Sequence, residues 1–189
     1  HSQTIFPSLL GRAPRMAYRR ERWTTPDGDF IDVDHTVPAP AADRPRLVLF
    51  HGLEGSSQSH YARALMAATR DAGWQGVVPH FRGCSGEPNL APRAYHSGDS
   101  DEIDWIVRRI VQRARGAPVF VAGVSLGANA LLKWLGERGD EAARLVTAAA
   151  GISPPQDLRA GSYVLRTAFN QIYTINFLVT LKRKSLAKL

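Results

Sequence analysis

Short unbroken apolar runs alternate with amphipathic stretches along this chain. Leu47-Val48-Leu49-Phe50, Val77-Val78-Pro79, Pro118-Val119-Phe120-Val121-Ala122 and Leu145-Val146-Thr147-Ala148-Ala149-Ala150 are the runs. Continuous apolar runs of this length are expected of strands buried on both faces. Between them, Ser59 to Ala72 (closed by Gly73), about Asp99 to Arg115, and Ala128 to Glu137 read as helices. The second is the best written: Ile103, Ile106, Val107, Ile110 and Val111 recur at helical spacing and make one apolar face. Asp99, Asp101 and Glu102 crowd its start, Arg108, Arg109, Arg113 and Arg115 its end, and Gly116 supplies a stop. Both charge sets complement the helix dipole, so this basic cluster needs no ligand to explain it. Strands alternating with helices predict βαβ units, a mainly parallel sheet and an α/β fold.

The first strands follow a different rule. Ala17 to Thr25, then Pro26-Asp27-Gly28, then Asp29 to His35 read as a hairpin, with Asp-Gly supplying the positive φ angles of a tight turn. In its second arm Ile31 and Val33 are expected on one face and Asp32 and Asp34 on the other, the period of a half-buried strand. Pro38 to Asp43 is a linker, and Gly83 to Gly98, rich in glycine, proline and polar residues, is a long loop of the kind that is often functional.

With 189 residues, 44 % of them hydrophobic, the chain is long enough to bury a core as one domain or part of one. The formal charge is +7, but its basic residues fall into separate groups with no aromatic-interleaved stripe, zinc-finger spacing or helix-turn-helix signature. Nucleic acid is therefore not an expected partner. Lys182-Arg183-Lys184 offers a basic end for a membrane surface, but such a run more often marks a solvated helix face. No apolar run approaches the ~20 residues of a membrane-spanning helix. The single cysteine, Cys84, excludes an internal disulfide framework and fits a reducing, cytoplasmic setting. The chain opens His-Ser-Gln-Thr, without an initiator methionine or a signal-peptide pattern, and reads as a fragment or processed piece.

One heptapeptide carries candidate chemistry. Gly123-Val124-Ser125-Leu126-Gly127-Ala128-Asn129 follows a buried strand and opens a helix, the order of a nucleophile elbow. Side chains two residues either side of Ser125 would collide in so tight a turn, hence Gly123 and Gly127. A serine hydroxyl needs a base, a group to orient that base, and donors for the oxyanion its attack creates. The expected donors are the backbone amides of Leu126 and of Leu53, the latter in the glycine-rich turn His51-Gly52-Leu53-Glu54-Gly55 after the Leu47–Phe50 strand.

All six histidines precede Ser125. In this architecture the base follows the serine, so His51 is expected to be a structural hydrogen-bonding group. His60, His80 and His96 with Cys84 and Asp99 match no zinc spacing, and no metal site is expected. Arg82 is expected to be a buried anchor, and nothing near Cys84 marks it as a lowered-pKa thiol.

The sequence resembles the AB-hydrolase-4 family, the YheT-like α/β-hydrolase esterases. The resemblance rests on Pro26-Asp27-Gly28-Asp29-Phe30, His51 to Ser57 and the Arg82-Gly83-Cys84-Ser85-Gly86-Glu87-Pro88-Asn89 run. It continues through Tyr95 to Asp99, the elbow itself and Ile152 to Leu158. It implies an α/β-hydrolase fold and a cofactor-independent serine hydrolase acting on small-molecule carboxylic esters, with Ser125 as nucleophile. Acyl transfer to an alcohol through the same serine, and a non-catalytic binding protein on the same fold, remain open alternatives. The residues after Ser125 include Asp140 and Asp157 but no histidine, and neither aspartate is assigned to the relay. The family's aspartate and histidine are expected beyond residue 189. On this reading residues 1–152 are the N-terminal part of the hydrolase domain and 153–189 the beginning of a cap. Phe169, Ile172, Tyr173, Phe177 and Leu181 would form the cap's apolar face.

Overall fold

A computed structural model describes residues 14–165 and 170–186. The strands are β1 (Tyr18–Thr24), β2 (Phe30–Thr36), β3 (Arg46–Phe50), β4 (Gln75–Pro79), β5 (Val119–Val124) and β6 (Ala148–Ile152). They form one sheet in the order β1-β2-β4-β3-β5-β6. β2 runs antiparallel to both its neighbours, while β4, β3, β5 and β6 run parallel to one another. The parallel part is connected through helices α1 (His60–Asp71), α2 (Ser100–Ala114), α3 (Leu126–Arg138) and the short α4 (Asp140–Leu145). Beyond β6 lie α5 (Leu158–Leu165) and α6 (Asn170–Leu186). The chain leaves β3 toward β4 and then crosses back to β5 on the other side, so connections diverge at the carboxyl end of β3. That is where open α/β sheets bind ligands.

The core sits where the apolar pattern places it. Val48, Leu49 and Phe50 on β3 are fully buried, and Ile103, Ile106, Val107 and Ile110 of α2 pack with Trp23, Phe81, Leu131 and Trp134. α2 ends with Arg115 in the left-handed region (φ 50°), followed by Gly116 (φ 92°), so the stop begins one residue earlier than expected. Two of the clustered arginines are taken up by carboxylates, Arg108 by Asp104 and Glu141 and Arg113 by Glu21, while Arg109 lies 4.7 Å over the Trp23 ring.

Two expectations need correction. Asp32 and Asp34 do not face solvent; each is 2 % exposed. They lie directly opposite Arg22 and Arg20 in the hairpin register, and each accepts a two-pronged guanidinium hydrogen bond. Paired and hydrogen-bonded in this way, a carboxylate can be covered at little net cost. Second, Leu145 is the last residue of α4 and Val146 the extended residue that caps it, and β6 begins only at Ala148. Among the described residues β6 pairs with β5 alone, and its residues are exposed rather than buried. Glu102, in the first turn of α2 as expected, is in addition buried and accepts a hydrogen bond from Arg82 Nε at 2.6 Å.

Candidate functional site

β3 and β5 are parallel neighbours, with Phe50 opposite Gly123, so the turns that leave them lie side by side. The β5 turn is sharp. Ser125 takes φ 52° and ψ −116°, a conformation that costs a non-glycine residue ~1–3 kcal/mol and persists only where the surroundings impose it. Its own N–H donates to Ile152 O on β6 at 2.9 Å, and its carbonyl accepts from Asn129 N–H to start α3. A Cβ on Gly123 would stand 2.6 Å from Ala128 Cα, and one on Gly127 would strike the Phe50 and His51 carbonyl oxygens. A Cβ on Gly52 would stand 3.3 Å from Ser125 Cβ, so the β3 turn passes directly against the serine.

The amides of the two turns divide into occupied and free. In the β3 turn, Gly52 N–H donates to the Tyr61 hydroxyl, Glu54 N–H to the Tyr95 hydroxyl (both 2.8 Å), and Gly55 N–H to Gly52 O at 2.9 Å. Leu53 N–H, between them, has no partner among the described residues. In the β5 turn Ser125 N–H is taken by Ile152, while Leu126 N–H, at the first position of α3, is likewise without a partner. First-turn amides of a helix are orphans by geometry and carry the positive end of the dipole. Leu53 and Leu126 line one cavity of about 500 Å³, together with Tyr95, Pro92, Leu181 and Lys184.

His51 is fully buried and uses both ring nitrogens. Nε2 accepts from Phe81 N–H at 3.0 Å, so the ring proton sits on Nδ1, which donates to Gly52 O at 2.8 Å. Burial is the main force holding this imidazole neutral, with its pKa pushed down to about 3, and it serves as a strut under the turn. Because the folded form refuses a proton that the unfolded chain accepts near pH 6.5, this contribution is full above that pH and fades as pH falls toward 3. The expected loss between pH 7 and pH 5 is about 2 kcal/mol, read by urea unfolding. In a His51→Gln variant that share of the pH dependence disappears, while the share from half-buried His35, lowered to about 4, stays in both proteins.

The other candidate residues have structural roles. His80 Nε2 and the buried Ser57 hydroxyl both meet Asp34 Oδ2, at 2.9 and 2.6 Å, on the side where Arg20 also binds. Burial pushes the Asp34 carboxyl up, but the hydrogen bonds from Arg20, His80 and Ser57 outweigh it and hold it well below the usual carboxylate range. Burial pushes the Cys84 thiol up to about 11, away from nucleophilic chemistry. His60 opens α1, and exposed His96 accepts from Gly98 N–H. Among the described residues no group of three or more His, Cys, Asp or Glu is arranged to hold a metal ion. Asp140 is exposed at the start of α4, and Asp157 accepts Ala160 N–H at 2.8 Å as a helix cap. Of the apolar face expected on 153–189, Phe169 and the side chains of Ile172, Tyr173 and Phe177 lie outside the described residues, while Leu181 reaches the cavity. No described helix is long and apolar enough to cross a membrane.

Tyr61, Tyr95, Glu54 and Lys184 are the site residues that sequence reasoning missed. The two tyrosine hydroxyls accept from the turn's own amides, and the Glu54 carboxylate accepts from the Tyr95 hydroxyl and meets Lys184, roles without a spacing rule.

The sequence pattern that describes the alpha/beta hydrolase fold matches residues 45–177. YheT of Escherichia coli (strain K12), provisionally named an esterase, is 42 % identical over 190 residues, covering 100 % of this chain and 55 % of that protein. The chain belongs to the α/β-hydrolase superfamily, in its AB-hydrolase-4 family. Phospholipase ABHD3 of Mus musculus, 30 % identical over 192 residues, covers 98 % of this α/β-hydrolase chain and is itself covered to 46 %. The chain spans about half the length of these curated relatives. The esterase Pf2001 of Pyrococcus furiosus superposes with a TM-score of 0.60 at 17 % identity, covering 90 % of this chain and 63 % of that one. That likeness establishes the shared α/β-hydrolase fold.

Proposed function

We propose that Ser125 is the nucleophile of a carboxylic-ester hydrolase that works through an acyl-enzyme. Ser125 Oγ attacks the ester carbonyl carbon, and a histidine following residue 189 takes the hydroxyl proton. The oxyanion settles between the Leu53 and Leu126 amides. Collapse breaks the bond to the alcohol, which leaves with the proton, and water then releases the acid and restores the serine. The observation that carries this reading is a pair of amides, one on each turn, that have no partner among the described residues: they belong to Leu53 and Leu126, which both line one cavity, and Leu126 directly follows the strained Ser125. Amides fixed in advance need no reorganisation as charge develops, and losing one such donor costs roughly a hundredfold or more in rate. Esterase and phospholipase relatives agree with ester chemistry, and the apolar cavity wall suits an acyl chain. In the same reading residues 1–152 supply nucleophile and oxyanion donors, and α5 and α6 begin a cap over the cavity.

A fluorophosphonate probe applied to the full-length protein tests the reading. One equivalent of label on the peptide carrying Ser125, blocked by a short acyl ester, is expected. An unlabelled serine would favour a binding role for the fold. Supplying ethanol during turnover separates hydrolysis from acyl transfer; acid is expected to remain the main product.

A further inference from the structure

We infer that Glu54 is a positioning residue that ties helix α6 to the turn presenting the Leu53 amide, with Lys184 as its partner on α6. The inference rests on the reading of Leu53 N–H as an oxyanion donor. Glu54 is the next residue in the chain, and its backbone takes φ 52°, in the left-handed region that disfavours every residue with a Cβ. Four contacts surround it. Its N–H donates to the Tyr95 hydroxyl at 2.8 Å, and that hydroxyl donates back to Glu54 Oε1 at 2.7 Å, closing a small ring of hydrogen bonds. Its other oxygen, Oε2, meets Lys184 Nζ at 2.7 Å. The Cys84 thiol stands nearby, 3.9 Å from Oε1 and 3.6 Å from Lys184 Nζ.

This is not an ordinary surface pair. The Glu54 side chain is 8 % exposed and that of Lys184 27 %, so solvent and salt screen the attraction far less than they would between two exposed chains. One carboxylate oxygen is committed to the loop that carries Tyr95 and the other to α6. The Tyr95 ring also stacks on Phe81, with centroids 5.2 Å apart and planes 6° from parallel, and Phe81 N–H binds His51 under the same turn. The turn is therefore braced from below by His51 and from above by Glu54. Only the upper brace depends on α6.

When Lys184 leaves, the covered carboxylate loses its cation and is left with the Tyr95 hydroxyl and the more distant Cys84 thiol. The turn must then open to let water reach it, and the left-handed backbone at Glu54 relaxes. Leu53 N–H moves with it. The amide stabilises charge that exists only in the transition state, so the effect falls on kcat and not on substrate binding.

In the full-length protein, Lys184→Met keeps the aliphatic wall of the cavity and removes the charge. It is expected to lower kcat for a short acyl ester about tenfold with KM within about twofold, while Lys184→Arg restores most of the loss. Glu54→Gln gives a similar fall, and the double variant is no worse than either single one. Hydrogen exchange of the segment around Leu53 rises in Lys184→Met, a readout that needs no turnover. Unchanged exchange, an effect confined to KM, or losses that multiply in the double variant would overturn the inference. A wild-type protein that fails to label with fluorophosphonate removes the hydrolase reading instead, and the exchange measurement still decides whether Glu54 and Lys184 brace the turn.

Discussion

Ser125→Ala in the full-length protein is expected to lower kcat for short acyl esters by at least about a thousandfold, with little change in KM. The size follows from what remains. Alanine leaves the Leu53 and Leu126 amides and the cavity in place, so substrate still binds and water can attack slowly, but no acyl-enzyme forms. The same variant relieves nothing in the fold: the bend is set by Ser125 N–H to Ile152 O and by the packing of Gly123 and Gly127, none of which uses the hydroxyl. Equal thermal stability with lost turnover is therefore the expected signature. Steady-state kinetics beside a melting curve checks it, and residual activity above a tenth of wild type would contradict the nucleophile assignment.

The largest expected stability effect is at Arg82. Its side chain is 2 % exposed and binds three carboxylates: Glu102 through Nε at 2.6 Å, Asp27 through both terminal nitrogens at 2.8 and 3.1 Å, and Asp29 at 3.1 Å. Asp29 and Glu102 have side chains as covered as the arginine itself. Burial pushes Glu102 above its ordinary range even with Arg82 beside it. Asp29 is pushed up by burial too, but hydrogen bonds from Asn89 and three backbone amides outweigh this and lower it to about 2. Arg82→Met keeps the aliphatic volume but takes the guanidinium from buried Asp29 and leaves buried Glu102 with the more distant Arg93, 3.6 Å away, so a loss of about 3–5 kcal/mol is expected in urea unfolding at pH 7. Arg82→Lys is expected to recover little, because one ammonium cannot reproduce a planar fork that binds three groups. The deficit should shrink as pH falls, since Glu102 in the variant escapes its penalty by taking a proton. A deficit independent of pH would mean that lost packing, not unpaired charge, is responsible.

Much of this arrangement was legible in residue order. The unbroken run at β3, the apolar face of α2 and the glycine spacing around Ser125 each reflect a local steric or periodic constraint, and each appears where expected. His51 was also readable as structural, because its place before the serine conflicts with a base role. What escaped was set by partners distant in sequence. Asp32 and Asp34 alternate with apolar residues as solvent-facing positions do, and only the hairpin register brings Arg22 and Arg20 opposite them. The run Leu145-Val146-Thr147 leading into the alanines of β6 carries no period by which a strand could be told from a helix, so the boundary slipped by three residues. Tyr95 and Glu54 lie 41 residues apart and meet only because the long loop folds back over the β3 turn.

The cavity wall and the frame that fixes it share some residues but not all. Pro88, Pro92 and Ala94 line the cavity beside Arg82 and Asn89, both of which are fastened to buried Asp29. Substitutions at those three positions can therefore reshape the cavity surface without disturbing the side chains that anchor the loop. Through such a division of labour one scaffold could diversify its substrates by small evolutionary steps, each remaining foldable along the way.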